Sequence, residues 1–144
     1  MSNAIEELKK EVWGLFRDTQ PVFLATLDGS KPRVRPVTLI HFDMKLWVST
    51  GANNAKIKQI KTNGNVEFCL LLEKGENKGY VRGTGVADIV EDMETKKLLS
   101  ENIPFFTEYW KDFTDPEFAL LQVHVQDIEY LRPGVFDVQR FPVR

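Results

Sequence analysis

The sequence predicts a mainly β domain with flanking helices, built as an antiparallel barrel of six strands. Three observations predict it. Six stretches carry the β-branched and aromatic residues of strands, and most are separated by short polar turns such as "DGSKP" and "EKGENK". Helical periodicity is confined to the start of the chain, to a segment after the third strand, and to a pair of short stretches before the last strand. Strands and helices do not alternate as parallel βαβ units require, so hairpin-linked strands are favoured over a parallel sheet.

The elements follow in order. Ile5, Leu8, Val12, Leu15 and Phe16 recur at three- and four-residue intervals behind Asn3 and Glu6, a capping-box pattern, predicting an amphipathic helix over residues 4–18. "PVFLATL" (21–27) reads as a strand and "DGSKP" (28–32) as a turn, so "KPRVRPVTLIHF" (31–42) returns as the second arm of a hairpin. A reversal at Asp43–Lys45 leads into a third strand through Ser49.

In "GANNAKIKQIKTNGN" the period changes. Ala55, Ile57 and Ile60 share a helical side, Asn53 or Asn54 is the N-cap, and Asn63-Gly64 closes the helix. "NVEFCLLL" (65–72) is continuously apolar after Glu67. That predicts a strand buried on both faces, by the barrel interior on one and by another element or subunit on the other. In "GYVRGTGVADIV" (79–90) Tyr80, Arg82, Thr84 and Val86 alternate with Val81, Gly83, Gly85 and Ala87, a small set suited to a sharp bend or a close backbone approach. Asp92 caps a helix in "EDMETKKLLSEN", and "PFFTEYWKDF" predicts a second short helix rich in aromatics. "FALLQVHVQDIEYL" (118–131) is the last strand, and residues 132–144 form a tail.

A chain of 144 residues suits one domain, expected to span residues 1–144 with its barrel strands within 22–131. With 42% hydrophobic and 28% charged residues it has the balance of a packed domain rather than a disordered one. No apolar run approaches the roughly 18 residues of a membrane span, and the first residues read as an amphipathic helix rather than a signal peptide, so a cytoplasmic location is expected. Cys69, the one cysteine, lies in an apolar run and is expected to be a core residue. His41 and His124 are too far apart in sequence for a recognisable metal-ligand spacing, so metal and cysteine–histidine chemistry is not predicted.

The net charge of −2 conceals an uneven distribution. Between Lys31 and Lys61 the bases Lys31, Arg33, Arg35, Lys45, Lys56, Lys58 and Lys61 face one acid, Asp43, whereas acids predominate from Glu91 onward. The basic third suits a compact anion. Nucleic acid is disfavoured by the overall acidity and by the lack of a strand interleaving aromatic with basic residues.

Gly83-Thr-Gly85 lacks the third glycine and the following helix of a dinucleotide fingerprint. Glu91 and Asp92 lie at a helix start, where capping explains them. A stronger constellation joins three neighbouring features. Arg33 and Arg35 project to one face of their strand by its period of two. Pro36 follows, and a proline, which cannot donate to a ladder, marks an edge or bulge where backbone can meet a ligand. "VSTGANNAKIK" then supplies the hydroxyls of Ser49 and Thr50, a run of backbone amides and Lys56 at the start of a helix, a set that suits phosphate.

These residues carry a resemblance. "FLATLDGSKPRVRPVTLIHFDMKLWVSTGANNAKIKQIKTNGNVEFCLL", "GYVRGTGVADIVED" and "DPEFALLQVHVQDIEYL" together resemble, in order, the pyridoxamine 5′-phosphate oxidase-like, FMN-binding split-barrel family, in particular its short general stress protein type. The resemblance implies a six-stranded split barrel that forms a homodimer and binds FMN at the subunit interface. It implies that Arg33, Val34, Arg35, Pro36 and Val37 lie along the isoalloxazine ring, with arginine near its polar edge. Ser49, Thr50 and Lys56 would hold the ribityl phosphate, and Trp110, with Phe105 and Phe106, would come from the other subunit to cover the site. An FMN-dependent oxidoreductase of unidentified substrate is the activity implied, with a non-catalytic binder of flavin, haem or another planar ligand as the alternative. The family's true oxidases carry an Arg-x-His substrate motif, which this sequence lacks, so pyridoxamine phosphate oxidation is not expected.

Overall fold

The computed structural model describes residues 2–143; Met1 and Arg144, the ends of the expected domain, lie outside the described residues. Helix α1 (Ser2–Trp13) precedes strands β1 (Thr19–Asp28), β2 (Lys31–Phe42) and β3 (Lys45–Gly51). Helix α2 (Ala55–Thr62) then leads to β4 (Asn65–Lys74) and β5 (Asn77–Ile89). Helix α3 (Met93–Asn102), a 3₁₀ turn (Phe106–Glu108), β6 (Phe118–Leu131) and β7 (Gln139–Pro142) complete the chain.

The strands form one antiparallel sheet in the order β3-β2-β1-β4-β5-β6-β7, and β3 also pairs with β6, which closes the first six into a ring. Closure leaves one interior, and period two fills it. Val22 and Leu24, Leu39, Val48, Phe68, Val81, Leu121 and Val123 all point inward, and Val12 and Phe16 close one end. The β2–β3 turn has positive φ at Asp43 (56°) and Met44 (58°), the handedness that tight hairpins favour.

Not every seam of the ring is zipped. β2 and β3 pair only where Ile40, His41 and Phe42 oppose Trp47, Leu46 and Lys45, although β2 extends back to Lys31 and β3 on to Gly51. The two strands therefore part beyond Leu39 and Val48. On the outside, a second apolar cluster of Ile40, Trp47, Phe118 and Leu120 packs against Leu99, Ile103 and Phe106, fastening α3 and the 3₁₀ turn beside that opening.

Several expectations are corrected. Helix α1 ends at Trp13, because the backbone turns at Gly14 and delivers Phe16 into the core from a loop, and Asn3 lies inside the helix rather than capping it. Ala55 is exposed; the buried side of α2 is Lys56, Ile57 and Ile60, with Asn54 as its cap. Within the single chain no other element among the described residues covers the outer face of β4: Val66, Phe68 and Leu70 face the core, while Leu71 is 65% exposed and Cys69 half-buried, which leaves a subunit as the remaining cover for that face. Cys69 is thus a surface-side residue, not a core one, and burial pushes its thiol up from the usual range. The tail contains β7, which pairs with β6 and buries Phe141. The small residues of β5 do meet close neighbours: a Cβ on Gly85 would lie 2.0 Å from the carbonyl oxygen of His124, beside an irregularity in the β5–β6 register.

Candidate functional site

Helix α2 follows β3 and packs against β1 and β5. The Asn54 side chain accepts a hydrogen bond from the Lys56 backbone N–H at 3.1 Å, which fixes the first turn, while Ile57 and Ile60 anchor the helix on the core. Lys56 then reaches β3. Its Nζ donates to Thr50 Oγ1 at 2.7 Å, and the residue is only 5% exposed. No carboxylate pairs with it among the described residues. Burial, and secondarily the nearby charge of Arg35, push its ammonium down to about 8.

Arg35 comes from the adjacent strand. Its Nη1 donates to the Leu24 carbonyl at 3.2 Å and its Nη2 to Gln59 Oε1 at 2.9 Å. The same Gln59 oxygen accepts from Thr26 Oγ1 at 2.5 Å. Desolvation lowers the guanidinium from its ordinary value, and no carboxylate contacts it among the described residues. Two cations thus stand close together with hydroxyl and amide partners only.

In front of Lys56 lies a cavity of about 440 Å³. Pro36, Val37 and Thr38 of β2 form one wall, and Ser49, Thr50 and Gly51 of β3 another. Phe105, Tyr109 and Trp110 supply an aromatic third. That wall is braced from behind, since Trp110 packs on Phe118 and Phe106 with ring centroids 5.0 and 5.3 Å away. A slot with aromatic and aliphatic sides and a cation at one end has the chemistry for a flat ring bearing an anionic tail.

Of the residues singled out in the sequence, Pro36, Val37, Ser49, Thr50, Lys56 and Trp110 share this cavity. Arg35 is not among the lining residues; it lies near Lys56, close enough for its charge to act on that ammonium. Arg33 does not reach it; it is exposed and lies 3.8 Å from Asp28 across the hairpin turn. Val34 points to the opposite face and is 68% exposed. Trp110 and Phe105 line the cavity of their own chain, and Phe106 is buried behind it. Thr38, Gly51, Tyr109 and Gln59 were not singled out. Gln59 had one usable signal, its position one helical turn after Lys56.

The outer face of β1, β2 and β4 is apolar and open. Phe23 opposes both Pro36 and Cys69, and Phe23, Val34 and Leu71 remain 45%, 68% and 65% exposed. A second hollow, of about 300 Å³, lies here among Pro21, Phe23, Cys69 and Leu71, and it shares Pro36 with the first cavity. The open face is therefore continuous with the slot.

Among the described residues no helix is long and apolar enough to cross a membrane. Residues 8–132 match the family profile described as pyridoxamine 5′-phosphate oxidase. General stress protein 26 of Bacillus subtilis (strain 168) is 27% identical over 132 residues, covering 90% of this chain and 91% of that protein. Among solved structures, the general stress protein 26 from Bacillus anthracis str. Sterne superposes with a TM-score of 0.73 at 24% identity, covering 94% of this chain and 99% of the other. A nimc/nima family protein from Clostridium acetobutylicum superposes with a TM-score of 0.76, also at 24% identity, covering 93% and 92%. These two share the fold, and the profile match extends over most of the chain: it belongs to the pyridoxamine 5′-phosphate oxidase family.

Proposed function

We propose that the chain is an FMN-binding flavoprotein that works as a homodimer and an FMN-dependent oxidoreductase. The observation that carries this reading is Lys56, a buried ammonium with a hydroxyl partner and no carboxylate partner among the described residues, facing a slot walled by aromatic rings. A buried cation without a counter-ion is costly, and an anion seated against it removes the cost. Lys56, Thr50, Ser49 and Arg35 would hold the ribityl phosphate. Pro36 and Val37 would lie along the ring, with Trp110 and Phe105 opposite. Because Arg35 stands with Lys56, its charge serves the phosphate end in this reading rather than the ring's polar edge.

The redox chemistry would be that of FMN, hydride and electron transfer. The chain's own part is to bind, to orient and to exclude water. The apolar face of Phe23, Val34, Cys69 and Leu71 supports the dimer: it is a contiguous patch, it meets the slot at Pro36, and a second copy seated there would close the slot's open side. Val34 would then contact the partner.

A second reading, a binder of flavin or another planar ligand without turnover, is favoured by one observation. The described residues lining the slot include no carboxylate and no imidazole to relay a proton. They include no histidine, cysteine or methionine, and Tyr109 is the lining side chain of a type that ligates haem iron, so haem stays within this second reading beside flavin. The two readings separate on reduction of the FMN-loaded protein by NADH or NADPH, followed by a panel of quinone, nitroaromatic and dye acceptors. Reoxidation faster than with free FMN supports the oxidoreductase, and no acceleration across the panel supports the binder.

A further inference from the structure

Arg35 and Lys56 repel one another, yet the fold keeps the two charges close together, with Lys56 lining the slot. Helix α2 supplies the means. It carries Lys56 and, one turn later, Gln59, whose Oε1 accepts from Arg35 Nη2 at 2.9 Å and from Thr26 Oγ1 at 2.5 Å. The Leu24 carbonyl takes Arg35 Nη1 at 3.2 Å. Thr26 is 2% exposed and sits on β1, so it fixes the amide's rotation from the barrel wall. A guanidinium has five N–H donors in a rigid fork; with two nitrogens anchored from behind, its plane is set and its remaining donors have one direction. A lysine at that position would have no such fork to anchor.

We infer that Gln59 is a positioning residue, holding the Arg35 guanidinium next to Lys56 so that the slot prefers a ligand with a phosphate tail over the same ring without one. The inference rests on the flavin reading above and adds to it the group that decides between phosphorylated and unphosphorylated flavin. Neither Gln59 nor Arg35 lines the cavity wall, and Gln59 reaches the cationic pair through its hydrogen bond to the Arg35 guanidinium.

The test is a pair of equilibrium titrations, FMN and riboflavin, on the wild type, Gln59→Met, Thr26→Val, Arg35→Met and the Gln59→Met/Arg35→Met double variant. Methionine keeps the length and helix propensity of glutamine and removes the acceptor. Gln59→Met is expected to weaken FMN about tenfold, the scale of one hydrogen bond to a charged group, while riboflavin moves less than about twofold. Thr26→Val shifts FMN in the same direction by a smaller factor, and Gln59→Met has no further effect once Arg35 is gone. If FMN and riboflavin weaken together, or if Gln59→Met acts equally with and without Arg35, Gln59 is merely structural and the inference is overturned while the phosphate site stands. If the wild type fails to prefer FMN, the phosphate reading fails first, and the inference with it.

Discussion

Replacing Lys56 by methionine should move stability and binding in opposite directions. In the free protein the Lys56 ammonium is driven from 10.5 to about 8, chiefly by burial. That corresponds to at most about 3 kcal/mol of unfavourable free energy at neutral pH. Methionine keeps the stem's packing and abolishes the charge, leaving Thr50 Oγ1 without its donor at a cost of about 1 kcal/mol. The free variant should therefore be more stable than wild type by about 1–2 kcal/mol, read by urea unfolding at pH 7. The sign has a pH signature. Between about 8 and 10.5 the unfolded chain holds a proton that the folded chain has released, so wild-type stability rises through that window, and the rise is absent in Lys56→Met. FMN affinity, by contrast, should fall by about ten- to a hundredfold, the loss of one charge-assisted contact to phosphate. A Lys56→Met protein that is less stable than wild type and binds FMN equally well would refute the reasoning, because Lys56 would then be a structural cation and not half of an ion pair awaiting its anion.

Other consequences follow from the same structure. Glu11 ties α1 to the end of β6 through the Tyr130 hydroxyl and to Arg132 just beyond it, at 2.7 Å to both Nε and Nη2, and these partners hold its carboxyl down at about 2. Its folded-state value lies below the unfolded one, so the stability it contributes is present above about pH 5 and lost as pH falls toward 2; Glu11→Gln should cost about 1 kcal/mol at pH 7 and flatten that acid limb, after allowance for the partial exposure of the pair. Gly85→Ala places a methyl against the His124 carbonyl, a backbone atom that cannot step aside, and should destabilise by about 3 kcal/mol or prevent folding, measured by urea unfolding or soluble yield. Leu71→Arg, on the open apolar face, should yield a monomer by light scattering and weaken FMN by about tenfold or more, because the slot would lose its outer cover; a dimer with unchanged affinity would move the interface elsewhere.

Local signals carried much of the fold. The hairpin turns, the Asn54 and Asp92 caps and the span of β6 are stated by residues within a few positions of each other, and the structure bears them out. Misreadings arose where a tertiary partner decides. The apolar run from Phe68 to Leu72 is the same whether its outer face meets another element of the chain or another subunit, and that no described element of the chain covers Leu71 is visible only once the ring closes. Strand period put Arg33 and Arg35 on one face, yet it could not tell that the first stays near the turn with Asp28 while the second is drawn in by Gln59 from a helix 24 residues away. β7 lies in the residues 132–144 expected as a tail, and only Phe141 of its four residues is buried, too little alternation to mark a strand. For the slot itself, the spacing of Ser49, Thr50 and Lys56 was legible, whereas the placement of the aromatic wall beside them depends on how α3 and the 3₁₀ turn fasten to Phe118 and Leu120.

The central claim is that this slot takes FMN. The most direct measurement is the absorption spectrum of the protein after incubation with FMN and gel filtration, compared with Lys56→Glu treated identically. The account predicts that the wild type retains a flavin spectrum at close to one FMN per chain and that Lys56→Glu emerges colourless but folded. A colourless wild type, or equal retention by both proteins, would contradict it.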